Sequence, residues 1–243
     1  MKRRLNRTGA LICLAAWTGA LAAHGEEKRH TGEILFGYDQ NEGNSDTIGF
    51  EIGGAHRWVV EGVGELHSKA GYAYGEADGV RKVNRGNVSS DYDRHIRERL
   101  YTNIRAEALF DDPAEIDHRV IVGPPSVGYD FIETERRSLS GELGLAYLWE
   151  KVADVKEEGP VLRAKQEFER HVGKNARFWQ SFEYLPYLSE FDRFLLHTIV
   201  GIESGLTEVL FMRFVVTDRY DSDPGVDLKK NDLNMTASLA VKF

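Results

Sequence analysis

The chain has 243 residues, with 31 Lys and Arg against 39 Asp and Glu, so its formal charge at neutral pH is −8. An acidic chain lacks the basic surface that nucleic acid requires, which excludes nucleic acid as a partner. Because Cys13 is the only cysteine, an internal disulfide and a cysteine-ligated metal site are also excluded.

The N-terminus has the pattern of a secretory signal peptide. Basic residues stand at positions 2, 3, 4 and 7, and an apolar run from 10 to 23 follows them and ends in small residues. This run is shorter than the roughly 20 apolar residues that a membrane-spanning helix needs. We therefore predict that residues 1–23 are a signal peptide, removed together with Cys13, and that 24–243 form one exported domain.

From residue 31 onwards, apolar and polar residues alternate. Ile34, Phe36 and Tyr38 precede a turn at 43–45, and the alternation resumes at Ile48. A period of two predicts β-strands, because a helix would scatter these apolar residues around its circumference. Turn residues divide the pattern into twelve predicted strands, at 31–40, 46–57, 60–74, 84–95, 97–110, 118–131, 137–150, 160–172, 176–188, 191–203, 206–220 and 230–243.

The predicted connections alternate in length. Those after the third, fifth, seventh and eleventh strands are expected to be long and charged, as at 75–83 and 151–159. Most of those after even-numbered strands are expected to be tight, as at 57–58, 173–175 and 205. Short turns on one side and long loops on the other are typical of outer-membrane barrels, and an even strand number places both termini in the periplasm.

The last predicted strand shows the alternation most clearly. Its apolar positions are Leu233, Met235, Ala237, Leu239, Val241 and Phe243. A terminal aromatic residue after apolar residues at every second position resembles the recognition signal of bacterial outer-membrane barrels. We therefore predict that Phe243, Val241 and Leu239 form an assembly signal for the barrel-assembly machinery. Outer-membrane lipid and lipopolysaccharide are the other expected partners.

Strand length separates a membrane barrel from a soluble one. Soluble strands average about 5 to 6 residues, whereas spanning strands need about 9 to 11, and the predicted strands are long. Aromatic residues near predicted strand ends fit interfacial girdles: Tyr38, Trp58, Tyr101, Tyr129, Phe131, Tyr147, Trp149, Trp179, Tyr184 and Phe243. We predict an all-β fold, a single closed antiparallel up-and-down transmembrane β-barrel of about 12 strands, in the bacterial outer membrane. The alternative is a soluble secreted β-barrel that binds an apolar ligand.

Four segments carry a family resemblance: GNSDT at 43–47, FEYLP at 182–186, YDSDPGV at 220–226 and the strand 232–243. With these segments the sequence resembles the salt-induced outer-membrane proteins of the YdiY type, a family with a domain of unknown function. The resemblance covers the mature chain. It implies an outer-membrane barrel in a salt- or osmotic-stress context, and it supplies no catalytic residues.

The sequence departs from the family pattern at Gly123-Pro124-Pro125, inside the sixth predicted strand. Two prolines remove two hydrogen-bond donors from the strand ladder. We therefore expect this strand to be bulged or to start later.

If the apolar faces contact lipid, charged residues of both signs line the lumen: Arg105, Glu107, Glu142, Lys165, Glu167, Glu183, Arg193, His197, Glu203 and Arg213. Two interpretations follow. The residues form either a structural network of ion pairs that fills the lumen, or a narrow polar channel in which opposed charges orient a small solute.

No catalytic motif, metal-ligand spacing or cofactor-binding motif is present in the sequence, so we expect no enzymatic activity, metal or cofactor. A lipid hydrolase built on a barrel is a further alternative, and it would need a serine and a histidine on the lipid-facing rim. Ser181, Ser238 and His197 are instead predicted to face the lumen.

Overall fold

The computed structural model describes residues 28–42, 47–77, 80–112, 114–173, 175–224 and 228–243. This part of the chain contains twelve strands: β1 (Lys28–Glu42), β2 (Thr47–Val60), β3 (Gly64–Ala77), β4 (Val80–Arg97), β5 (Leu100–Asp111), β6 (Ile116–Thr134), β7 (Arg137–Val152), β8 (Val155–Val172), β9 (Ala176–Tyr187), β10 (Glu190–Gly205), β11 (Leu210–Asp221) and β12 (Asn231–Lys242). The predicted signal peptide and the turn at 43–45 lie outside the described residues.

Each strand pairs antiparallel with its sequence neighbours, and β12 pairs with β1, so the sheet closes into a barrel. This confirms the predicted fold class. Both termini of the barrel lie at one end, which we call the terminal end. The opposite end carries the link between β11 and β12 and is called the loop end. Within the described residues there is no helix of sufficient length and apolarity to span a membrane.

The two faces of the strands differ as the alternation predicts. On β12, Leu239 and Val241 are 46% and 40% exposed on the outside, whereas Ser238 and Ala240 are buried on the inside. A soluble protein buries its apolar face and exposes its polar one. The reversed arrangement is that of a barrel whose outer surface contacts hydrocarbon, and it recurs around the wall at Ile34, Phe36, Phe50, Ile52, Ile104, Val127, Leu143, Leu145, Ile202, Met212 and Phe214.

The strands contain between 12 and 19 residues, and several are longer than predicted. The expected long loops at 75–83 and 151–159 are wrong, because the strands on both sides continue into them. β3 extends to Ala77 and β4 begins at Val80, while β7 and β8 are joined by the two residues Ala153 and Asp154, both with positive φ. Charged residues of these segments pair in the strand ladder, Glu76 with Arg81 and Lys151 with Lys156, so hairpins replace loops. Among the twelve described strands, the largest gap in sequence between consecutive strands is the nine positions 222–230 between β11 and β12.

The predicted tight turn at Arg57 and Trp58 is also wrong, since β2 continues to Val60 and turns at 61–63. Gly62 occupies the left-handed region there, with φ of 76°. The backbone N–H of Val63 donates to the carbonyl of Val60 at 3.0 Å and closes the turn.

The sixth strand keeps its place in the sheet by a bulge. Its register slips against β7 between Val122 and Val127 and against β5 between Asn103 and Arg105. Pro124 and Pro125 are exposed within this bulge, where no ladder donor is needed. The bulge shifts the inward face of β6 from odd to even positions, so that Arg119 and Ile121 before it and Ser126 after it are all buried.

Two of the aromatic residues assigned to girdles point inward instead. Tyr101 is buried, and its hydroxyl donates to Glu142 at 3.1 Å. The ring of Trp179 lies 4.7 Å from the Arg177 guanidinium and 5.6 Å from that of Arg213. Both residues stand at inward positions of their strands. Their location near a strand end, on which the girdle assignment was based, does not distinguish inward from outward side chains.

Candidate functional site: the charged lumen

The inward faces of the strands build a lumen filled with ion pairs. All ten residues that the sequence proposes for the lumen stand at inward positions, and they form three groups along the barrel axis. Glu203 and Arg213 lie near the terminal end, and Arg193 lies near the loop end. The others lie between: Arg105, Glu107, Glu142, Lys165, Glu167, Glu183 and His197.

The group at the terminal end is centred on Arg213. Its guanidinium donates to Glu33 at 2.9 and 2.7 Å and, through Nε, to Glu203 at 2.9 Å. Lys242 donates to the other oxygen of Glu203. Two carboxylates thus face two cations, and charge-assisted bonds of this kind are stronger than neutral ones. The group joins β1, β10, β11 and β12 and so braces the closure of the barrel.

The central group is centred on Arg163, which is 1% exposed. Its Nε donates to Glu183 at 2.5 Å and its Nη1 to Glu142 at 2.6 Å. Nearby, Arg105 donates through Nη1 to both carboxylate oxygens of Asp91, at 2.7 and 2.8 Å, and pairs through Nη2 with Glu107. His197 approaches Glu183 with Nδ1 at 3.8 Å. The buried charges in this group are all neutralised by close partners, as burial in a low dielectric requires.

The group at the loop end contains residues that sequence reasoning did not select. Arg119 donates to Glu150 at 2.6 Å, and the Tyr187 hydroxyl donates to the same carboxylate at 2.7 Å. Across the barrel, Arg119 Nη2 lies 3.7 Å from Asp221. Arg193 pairs with Glu157, and its guanidinium stacks over Tyr187 at 4.6 Å. Glu150 and Tyr187 share the inward parity of Glu142 and Glu183 in their predicted strands, and this parity was the available sequence signal.

An apolar cluster occupies part of the lumen beside these ion pairs. It consists of Ile121, Ala146, Leu148, Val161, Leu185, Tyr187 and Leu195, all inward residues of β6 to β10. Leu148, Val161 and Leu185 are 0% exposed, so no water reaches them. The alternation places these residues on the polar face, and sequence reasoning missed them because it assumed a uniformly polar interior.

The opposite wall, formed by β1 to β4, carries a separate charged pair. Arg85 of β4 donates to Asp39 of β1, and Asn234 of β12 donates to the same carboxylate at 2.7 Å. Several other inward positions of this wall near mid-strand are small, among them Gly37, Gly53, Ala55 and Gly71. The two halves of the lumen therefore differ in side-chain volume.

The residues proposed as an assembly signal are on the outer surface at the terminal end. Phe243, Val241 and Leu239 point outward, and the backbone N–H of Phe243 donates to the carbonyl of Gly32 at 2.9 Å. The reciprocal bond, from Gly32 to Phe243, measures 2.8 Å. The ring of Phe243 covers Gly32 so closely that a Cβ there would lie 2.6 Å from it. Phe243 therefore extends the pairing between β12 and β1.

Within the described residues, no group of three or more His, Asp or Glu side chains has the geometry of a metal site. Most of the inward charges described above form ion pairs with one another.

An apolar outer surface around a charged interior defines a membrane β-barrel of the porin architecture. A family model described as "Protein of unknown function, DUF481" matches residues 34–243, and the chain belongs to that family. This agrees with the resemblance to a family of undefined function. No curated protein matches the chain in sequence.

Solved structures share the fold at very low sequence identity. The NanC porin is 8% identical, with a TM-score of 0.58 over 86% of this chain and 100% of that one. The KdgM porin is 12% identical, with a TM-score of 0.51 over 87% of this chain and 99% of that one. At such identities the likeness concerns the fold alone.

Proposed function

We propose that this protein is a non-enzymatic channel of the bacterial outer membrane that passes small polar solutes. The observation that carries the proposal is a lumen lined by charges of both signs inside an apolar outer surface. A protein that only carried an apolar ligand would need an apolar interior, and the polar groups here favour water and ions instead.

The channel is expected to be narrow. Twelve strands enclose less space than the 16 to 18 of open porins. The apolar cluster and the central group around Arg163 occupy much of that space, since the side chains of the cluster and of Arg163 are buried. We expect small ions and solutes to pass at low rates, and oligosaccharides to be excluded.

The orientation follows from the termini. Outer-membrane barrels keep their termini and short turns on the periplasmic side. We therefore propose that the terminal end faces the periplasm, that the loop end with Arg193, Glu157 and Asp223 faces the lipopolysaccharide, and that the barrel-assembly machinery reads β12. Removal of residues 1–23 during export is part of the same proposal, and the mass of the mature protein tests it.

Conductance across a planar lipid bilayer tests the channel. Purified barrel, whose folded state is verified by heat-modifiable migration on a detergent gel, should produce small unitary steps, well below those of a 16-strand porin measured in parallel. The heat-denatured protein is the matched control. A folded barrel that inserts and produces no steps would contradict the channel and favour the structural network of ion pairs.

A salt- or osmotic-stress role is the finer part of the proposal and rests on the family resemblance alone. Deletion of the gene should slow growth at high osmolarity, and the wild-type chain should restore it. Unchanged growth over a range of salt and sucrose concentrations would contradict this role without affecting the channel.

A further inference from the structure

We propose that the lumen contains a binding point for small zwitterionic solutes between Lys69 of β3 and Glu167 of β8, beside a water path that follows the wall of β1 to β4. The inference rests on the channel function proposed above and names the class of solute.

The position of the water path follows from side-chain volume. At mid-barrel, β2 and β3 present Gly53, Ala55 and Gly71 to the lumen. The facing strands present Arg163, Leu148 and Leu185, which are 1% exposed or less. Since large side chains close the facing half of the lumen to water at this level, we infer that the accessible space lies against these small residues, although Asp39, Ala73 and Arg85, nearer the loop end of the same wall, are buried.

Exposure of inward residues marks the same path. Lys69 and Asn87 stand at inward positions within β3 and β4, away from the strand ends, and yet both are exposed. Glu167, on the opposite wall, is also exposed, with 48% of its side chain accessible. An inward side chain in the middle of a barrel wall is exposed only if water occupies the lumen beside it.

The charges along this path are arranged differently from those in the closed half. Among the described residues, no carboxylate lies within 4 Å of the Lys69 ammonium, although Glu167, Asp91, Lys165 and Arg105 act on it electrostatically from a greater distance. Glu167 has one close cation, Lys165 at 2.9 Å, and also interacts with Lys69. A cation on one wall thus faces an anion on the other across water.

This arrangement suits a molecule that carries both charges. The carboxylate of a small zwitterion is attracted to Lys69 and its ammonium to Glu167. The molecule therefore lies across the lumen, perpendicular to the barrel axis, in one orientation. A simple anion is attracted by one wall and repelled by the other, and a neutral solute gains neither contact. Water-filled clefts with low-dielectric walls strengthen such fields relative to open solution.

Swelling of proteoliposomes in isomeric solutes tests the proposal. Glycine is zwitterionic and glycolamide is a neutral isomer of the same composition, so diffusion and size do not distinguish them. Wild-type protein should admit glycine faster than glycolamide by about threefold, the factor expected from one or two weak charge contacts. Lys69→Gln and Glu167→Gln should each reduce this ratio, whereas Lys156→Gln, at an exposed position near the loop end of β8, should leave it unchanged.

Equal rates for the two isomers, or an unchanged ratio in both variants, would overturn the binding point while leaving the channel intact. An absence of swelling in either solute, relative to protein-free liposomes, would overturn the channel and the binding point together.

Thiol labelling locates the path independently of transport. Because the predicted mature chain has no cysteine, Asn87→Cys provides a single thiol on β4. It stands two residues from Ser89, which pairs in register with Lys69. A charged methanethiosulfonate reagent should label it, and glycine, but not glycolamide, should slow the labelling. Leu148→Cys is the control and should stay unreactive in the folded barrel. Equal labelling at positions 87 and 148 would overturn the path along β1 to β4.

Discussion

Arg213 of β11 donates two hydrogen bonds to Glu33 of β1, at 2.9 and 2.7 Å, although 180 positions separate the two residues and β12 lies between their strands. The contact crosses the seam where the first and last strands meet. It therefore stabilises the one pairing of the barrel that no hairpin turn holds in place.

Replacement of this guanidinium should weaken the barrel. Arg213→Met leaves Glu33 and Glu203 facing each other without their shared cation, and removal of one partner of a buried ion pair costs about 3–5 kcal/mol. Unfolding in urea, followed by tryptophan fluorescence in detergent micelles, measures the loss. Lys156→Gln serves as the exposed control, and equal stability of the two variants would contradict a bracing role for the seam contact.

The apolar cluster inside the lumen predicts a difference between two leucines of one strand. Leu148 is 0% exposed and points inward, whereas Leu145 is 49% exposed and faces lipid. Leu148→Ala should reduce the free energy of unfolding by about 2–5 kcal/mol because it leaves a cavity. Leu145→Ala should cost less, since lipid fills the vacated space. A larger loss at 145 than at 148 would mean that the cluster does not form.

A cation on the outer surface should block assembly. Leu239→Arg places a charge against hydrocarbon, at a cost of about 2–4 kcal/mol near the bilayer midplane. The fraction of heat-modifiable barrel recovered from membranes measures assembly. The alternation suggests Ser238→Arg as the tolerated inward counterpart. However, Ser238 is buried and pairs in register with Arg213, and its Cβ lies only 2.9 Å from where a Cβ at position 37 would stand. An arginine at position 238 would therefore be crowded.

Asn87→Arg is the better inward control for Leu239→Arg, because Asn87 is exposed in the lumen. It should assemble normally and reduce conductance by narrowing the water path. Equal recovery of Leu239→Arg and Asn87→Arg would count against the assigned facing of the strands.

Gly128 should tolerate no side chain. Its surface is covered by the ring of Tyr101, and a Cβ there would lie 2.2 Å from a ring carbon. Gly128→Val must displace this ring and break its hydrogen bond to Glu142, so we expect a loss of about 1–3 kcal/mol. Gly159→Ala is the control, because its added carbon would approach its nearest neighbour only to 4.0 Å. Indistinguishable unfolding curves for the two variants would contradict the crowding at Gly128.

Local pattern was sufficient to predict the twelve strands and, apart from the bulge of β6, which of their faces is apolar. The period of two in 233–243 predicted β12 almost to the residue, and the facing of Leu239 and Ser238 followed from it. Loop lengths were not predictable in this way, because charged residues at 75–83 and 151–159 suit a solvated hairpin as well as a loop. Hydrogen bonding to the neighbouring strand, which no local composition encodes, decided between them.

The sequence by itself determined an all-β barrel with an apolar exterior and charged interior, because alternation along a strand depends only on the order of residues. The tertiary structure alone decided which inward charges meet, such as Arg119 with Asp221 and Arg213 with Glu33. It also buried Leu148 completely while leaving Lys69, which likewise stands at an inward position, exposed. Contacts across a barrel depend on its closure, strand tilt and bulges, and these are properties of the whole sheet rather than of any segment.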